Sequence, residues 1–147
     1  VIVIAIMGVL AAVAISMFTG MIQRSRKQAD VVRAQQIQKA IVTYIAETGN
    51  GNLDKMDGVS GDIDKLLQWL QGRHEISLPN GTKEKFGPYL ENIKNETKAK
   101  NYYPQQDKAE GWHIIVDSES GDVQVKLYGS GLDDDVAPGE GHKLEIN

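Results

Sequence analysis

Residues 1–22 read VIVIAIMGVLAAVAISMFTGMI and contain no charged side chain. A basic cluster of Arg24, Arg26 and Lys27 follows directly. An apolar run of more than about 18 residues with a basic flank is long enough to cross the roughly 30 Å hydrocarbon layer of a bilayer as a helix. At about 0.3 to 0.6 kcal/mol each, its Val, Ile, Leu and Phe side chains favour lipid over water by about 3 to 6 kcal/mol. This preference is modest, so residues 1–22, the apolar segment, would leave lipid for an equally apolar protein surface.

The apolar segment also carries small side chains along its length. Small residues let the backbones of neighbouring membrane helices approach closely. We therefore predict helix-packing positions at Gly8, Ala11, Ala12, Ser16 and Gly20.

The helical pattern continues beyond the basic cluster. Apolar positions three or four residues apart form one stripe, which consists of Ala34, Ile37, Ala40, Ile41, Tyr44, Ile45 and Thr48. No proline occurs before Gly49, and the run from Gly49 through Asn50 to Gly51 is a strong helix stop. The sequence predicts one helix over about 1–48, roughly 70 Å long. Residues 1–22 are apolar all round, and residues 23–48 form an amphipathic half whose apolar stripe needs a partner.

Residues 49–147, the head, would supply that partner. A polar connector leads to a short helix, capped by Ser60 or Asp62 and continuing to about Gln71. Residues 75–78 are predicted to be extended. Alternating side chains predict a β-hairpin over 111–128, with a turn at 118–121 and a further strand at 144–146. The fold class is therefore α+β, with the long helix packed on a small antiparallel sheet.

Composition limits the chemistry that is available. The chain has no cysteine, so it forms no disulfide. Residues 1–48 carry a net charge of +3 and the head carries −7. Opposite charges could attract neighbouring copies, or the basic cluster could simply mark the membrane interface. The acidic head argues against electrostatic binding of nucleic acid, and no specific nucleic-acid site is identified.

Catalytic motifs are not found in the sequence. His74, His113 and His142 lack metal-ligand spacing, and neither a phosphate-binding glycine loop nor a nucleophile elbow occurs. Alternation places His113 on the outer face of its strand, where we expect a surface residue. We predict that the protein is not an enzyme and requires no cofactor.

A glycine-rich acidic loop lies near the C-terminus, with three consecutive carboxylates at 133–135. A hard cation such as Ca²⁺ would relieve their mutual repulsion. The candidate ligands are Asp133, Asp135 and Glu140. The alternative is a solvated acidic turn without metal.

Residues 3–15, VIAIMGVLAAVAI, resemble the N-terminal signature of type IV pilins and pseudopilins. In that signature, phenylalanine-threonine-leucine-isoleucine-glutamate precedes an apolar block of the VIAIIGILAAIAIP kind. The order of Gly8 and the Ala11–Ala12 pair within a Val/Ile run carries the resemblance. The resemblance is close over the first dozen residues and extends over the next thirty only in general character. We expect the family's glutamate to precede Val1. Ser16 stands where the family has a proline, so it keeps the backbone donor that a proline would remove.

The resemblance implies the pilin fold and a structural subunit of a type IV pilus. Such a subunit waits in the inner membrane and then polymerises through its N-terminal helices into an extracellular filament for adhesion, motility or DNA uptake. Processing by a prepilin peptidase, methylation and an ATP-driven assembly machinery are implied with it. A major pseudopilin of type II secretion, whose calcium loop is placed similarly, is the alternative. A single-span membrane-anchored sensor or enzyme is the third.

Overall fold

The computed structural model describes residues 1–59, 61–91, 102–106, 108–129 and 143–147. Two helices precede five strands in this part of the chain. They are α1 Ile2–Thr48, α2 Ile63–Leu70, β1 His74–Ser77, β2 Lys83–Phe86, β3 Gly111–Val116, β4 Val123–Tyr128 and β5 Lys143–Ile146. The strands form an antiparallel β1–β2 pair and a three-stranded sheet in the order β4-β3-β5. The layout is α+β, with a long N-terminal helix and small sheets.

The first helix is continuous over 47 residues and passes through Ser16 without a break. At 1.5 Å per residue its length is about 70 Å. It ends at Gly49, whose φ of 66° is left-handed and whose N–H donates to the carbonyl oxygen of Ile45 at 2.8 Å. A side chain would strain this conformation, so glycine closes the helix at low cost. The predicted helix stop is confirmed.

The predicted apolar stripe of α1 is the face that packs against the rest of the chain. Ile37, Ile41 and Tyr44 are completely buried, and Ala40 and Thr48 are nearly so. Ala34 and Ile45 pack at the edge of the same core. Burial therefore follows the 3.6-residue period that the sequence shows in this half of the helix.

The second helix and the β1–β2 pair follow the connector. Of the two predicted caps, Asp62 is the one observed, and its Oδ1 accepts from the backbone N–H of Asp64 at 2.9 Å. The leucines of α2 are buried. A strand was predicted at 75–78, and β1 lies at His74–Ser77. The second strand of this hairpin, β2, was not predicted, because its exposed side chains Lys83, Glu84 and Lys85 leave no apolar face to detect.

The hairpin of β3 and β4 lies where the alternating pattern predicts it. The strands pair antiparallel from Gly111 with Tyr128 to Val116 with Val123. Trp112, Ile114 and Val116 are fully buried. On the helix side, the Gln38 side-chain amide donates to the carbonyl oxygen of Val123 at 2.8 Å, which joins α1 to β4.

The fifth strand departs from the predicted antiparallel sheet. β5 pairs with β3 in parallel, with Ile114 opposite Leu144 and Val116 opposite Ile146. Parallel neighbours cannot be joined by a tight turn, and here β4 lies between β3 and β5 in the chain. The antiparallel prediction is right for β3 and β4 and wrong for β5, so the sheet is mixed.

The prediction that His113 is a surface residue is wrong. Its side chain is only 3% exposed, and Nε2 lies 3.3 Å from Oε2 of Glu145 on β5. β5 pairs with the edge of β3 that β4 leaves free, so β3 is the central strand of the sheet. Side chains on the outward face of β3, such as His113, therefore contact side chains of β5. Alternation identifies which face a residue occupies, but it does not show whether that face is covered.

Tyrosines connect α1 to the connector and to the segment after β2. The Tyr44 ring meets Trp69 and Tyr89 edge to face, at centroid distances of 5.2 and 5.8 Å. The Tyr44 hydroxyl donates to Oδ1 of Asn50 at 3.1 Å, and the Tyr89 hydroxyl donates to Oε2 of Glu47 at 2.8 Å. Burial raises the pKa of Tyr44 to about 12. Burial and the hydrogen-bonded Glu47 carboxylate likewise raise the pKa of Tyr89.

These pKa shifts predict alkaline destabilisation. Folded tyrosines whose pKa is raised hold their protons while the unfolded chain releases them, so stability is retained below about pH 10 and falls as pH rises from there to about 12. The loss from Tyr44 alone is up to about 2 kcal/mol. Denaturant unfolding followed by circular dichroism between pH 8 and 12 measures it. Tyr44→Phe should show a shallower decline over the same range, and equal slopes for the two proteins would contradict the assignment.

Candidate functional site

The apolar segment is the largest apolar surface that the described chain leaves uncovered. Each residue from Val1 to Ile22 is exposed. An 18-residue window of α1 reaches a mean hydropathy of 2.6, and none of it is buried. By length and composition, α1 is able to cross a membrane. An isolated water-soluble protein rarely exposes a contiguous apolar patch larger than a few hundred Å², so this surface marks contact with lipid or protein.

Four of the predicted helix-packing residues fall on one ridge of the apolar segment. Gly8, Ala12, Ser16 and Gly20 are spaced four residues apart, and Ala11 borders Ala12. A Cβ atom added at Gly8 or Gly20 would meet nothing within 4 Å in the single chain. The space along this ridge is therefore open to another helix, which is how small residues four apart act in membrane helix pairs.

The hydroxyl groups within the apolar segment have partners in their own helix. Ser16 Oγ donates to the carbonyl oxygen of Val13 at 2.9 Å, and Thr19 Oγ1 donates to that of Ile15 at 3.0 Å. An unpaired donor would be costly in lipid or between apolar helices. These bonds allow both residues to lie in either environment.

Asp30 and Arg33 of α1 contact the segment 102–106. Asp30 is completely buried, and its carboxylate accepts from the backbone N–H groups of Gln105 at 2.6 Å and Gln106 at 3.1 Å. Arg33 donates to the carbonyl oxygen of Tyr103 at 2.8 Å. The side chains of Asp30 and Arg33 thus hold residues 102–106 against the helix, immediately above the basic cluster.

Sequence reasoning did not identify this contact, although a signal for it exists. Asp30 occupies a position four residues before Ala34, which continues the apolar stripe towards the N-terminus. A lone carboxylate on an otherwise apolar face indicates a buried, hydrogen-bonded acid.

Asp30→Ala should destabilise the fold by about 2 to 4 kcal/mol, because two backbone N–H groups would lose their shared acceptor. Asp30→Asn keeps one acceptor oxygen and should cost less. Urea unfolding of both variants measures the difference. If Asp30→Ala were as stable as the wild type, water would be replacing the carboxylate as the acceptor of these two hydrogen bonds.

The predicted metal ligands Asp133, Asp135 and Glu140 lie outside the described residues. Within the described residues, no group of three or more His, Asp or Glu side chains could hold a metal ion. The ring of His74 stacks on Trp69 at a centroid distance of 4.1 Å, and its Nε2 lies 2.9 Å from the Trp69 carbonyl oxygen. This histidine therefore packs against the protein itself.

Comparisons with protein-family models, with curated proteins and with solved structures found no match to this chain.

Proposed function

We propose that this protein is a structural subunit of a filament of the type IV pilus class. Its apolar segment would lie in a membrane before assembly and in the core of the polymer afterwards. The observation that carries the proposal is the division of α1 into two halves. One stripe of the second half is covered by the rest of the chain, whereas the first half is apolar on every side and uncovered.

The energetics of the apolar segment suit a reversible exchange. Helix contacts with lipid and with other apolar helices are similar in free energy, so transfer from bilayer to bundle requires good packing and little net hydrophobic gain. The ridge of small residues supplies that packing. α1 continues without interruption from the apolar segment into the core of the head. A helix that serves only as a permanent membrane anchor does not require this continuity.

The sequence resemblance adds the pilin family, the pilin fold and an extracellular filament to this proposal. Under it, a prepilin peptidase processes the chain, and an assembly machinery in the inner membrane extracts the processed subunits. Adhesion, motility and DNA uptake are the functions such a filament would serve.

Negative-stain microscopy of material sheared from cells that express the full chain tests the proposal. We expect thin filaments that an antibody raised against residues 49–147 decorates along their length. A chain that stays in the membrane fraction and is monodisperse in detergent would overturn the proposal and favour a single-span sensor or enzyme. Short polymers that form only with Ca²⁺ would instead favour the pseudopilin alternative.

A further inference from the structure

The amphipathic half of α1 has a second stripe, on the face away from the sheet. Its positions lie three or four residues apart and are Arg24, Gln28, Val31, Gln35, Lys39, Val42 and Ala46. Every side chain on this exposed stripe is exposed, and none is acidic. The two acids of the helix are turned the other way, towards the head. The charged side chains of the exposed stripe are therefore all basic, and apolar and amide side chains lie between them.

The described part of residues 23–147 exposes few large aliphatic side chains. Outside the apolar segment the large ones are Val31, Val32, Val42 and Ile146, which are 55%, 50%, 40% and 40% exposed. Three of them lie on or beside the exposed stripe. The fourth lies on β5.

Ile146 lies at the edge of a groove with acidic walls. The groove has a volume of about 620 Å³ and runs between the connector after α1 and the end of β5. Leu144 and Met56 contribute apolar lining, and Asp54 and Asp57 contribute carboxylates. Both aspartates are exposed, so they are open to a partner with positive charge.

We propose that the exposed stripe of one subunit docks into this groove on a second copy of the same chain. The inference rests on the proposed function, and it names the contact between neighbouring subunits outside the apolar core. Val42 would meet Ile146 and the groove lining, and Lys39, three residues before Val42 on the same helix face, would meet Asp54 or Asp57. Charge complementarity selects this pairing, since two exposed stripes would repel each other.

The stripe and the groove are different surfaces of one chain, which makes the contact open-ended. The groove lies between the connector after α1 and the end of β5, whereas Lys39 and Val42 lie on α1. Each subunit can therefore use its stripe with one neighbour and its groove with another. Such a heterologous contact generates a filament when it does not close.

Disulfide trapping tests this contact, and the absence of native cysteine makes the test specific. The double variant Val42→Cys/Ile146→Cys, assembled as full chain and mildly oxidised, should give a ladder of covalent multimers on a non-reducing gel. A mixture of the two single variants should give dimers only. A disulfide needs Cα atoms within about 7 Å. Ile146 lies on the far edge strand of the sheet and Val42 lies on the exposed face of α1, so we expect no closure within one chain.

The matched control is Val42→Cys/Glu84→Cys, because Glu84 is an exposed residue of β2 outside the groove. It should form filaments without a ladder. Pairs of Val31→Cys or Val32→Cys with Ile146→Cys test a register shifted by about 16 Å along the helix. Normal filaments with no multimers from any of the three pairs would overturn the docking contact and leave the proposed function standing. Failure of the wild-type chain to polymerise at all would overturn the proposed function, and the docking contact with it.

Discussion

Gly8→Leu is expected to abolish filament formation while the free energy of unfolding of the head stays unchanged. Gly8 lies on the ridge of small residues, where the single chain has nothing within 4 Å of an added Cβ. An isobutyl group would hold neighbouring helix axes apart and remove close contacts along the ridge. Ala12→Leu, one helical turn further along the same ridge, should have the same effect. Filament yield by sedimentation and microscopy measures assembly, and thermal unfolding measures the head.

The matched control is Val9→Leu, which adds one methylene group to a neighbouring side chain that is already large and is 66% exposed. It should assemble at close to the wild-type yield. Membrane insertion should survive in all three variants, because leucine favours lipid more than glycine or alanine does. Normal filaments from both Gly8→Leu and Ala12→Leu would show that close approach at the ridge is unnecessary.

Ile41→Ala is expected to lower the stability of the fold by about 2 to 5 kcal/mol, the usual cost of removing three buried carbon atoms from a packed core. Ile41 is completely buried between α1 and the elements that pack on it. Val42→Ala, at the next residue, should change stability by less than about 0.5 kcal/mol because Val42 is 40% exposed. Urea unfolding of both variants provides the comparison.

The same pair of variants separates folding from assembly. Val42 lies on the exposed stripe that we assign to the groove of a second copy, so Val42→Ala should reduce filament yield although its head is as stable as that of the wild type. Ile41→Ala should reduce the amount of folded protein first. Equal losses of stability for the two substitutions would mean that the stripe is covered within the single chain, contrary to its exposure.

The sequence alone determined those features that depend on neighbouring residues. The helix over 1–48 and its stop at Gly49 follow from local backbone preference and periodicity, which also limited the cap of the second helix to Ser60 or Asp62. The β3–β4 hairpin follows from alternation and a short turn. The apolar segment, on which the candidate site and the proposed function rest, is also evident from composition, and the structure shows that it is uncovered.

Tertiary structure alone decided the features that depend on residues far apart in the chain. The parallel pairing of β5 with β3 joins strands that are not consecutive in the chain, and the burial of His113 follows from that pairing. The carboxylate of Asp30 finds its donors 75 and 76 residues away. The exposed stripe and the groove are surfaces left over after the core has formed. Local pattern shows which face of an element is apolar. Only packing shows which faces are covered and by which residues, because a contact with a residue distant in sequence produces no periodic pattern near the residue that makes it.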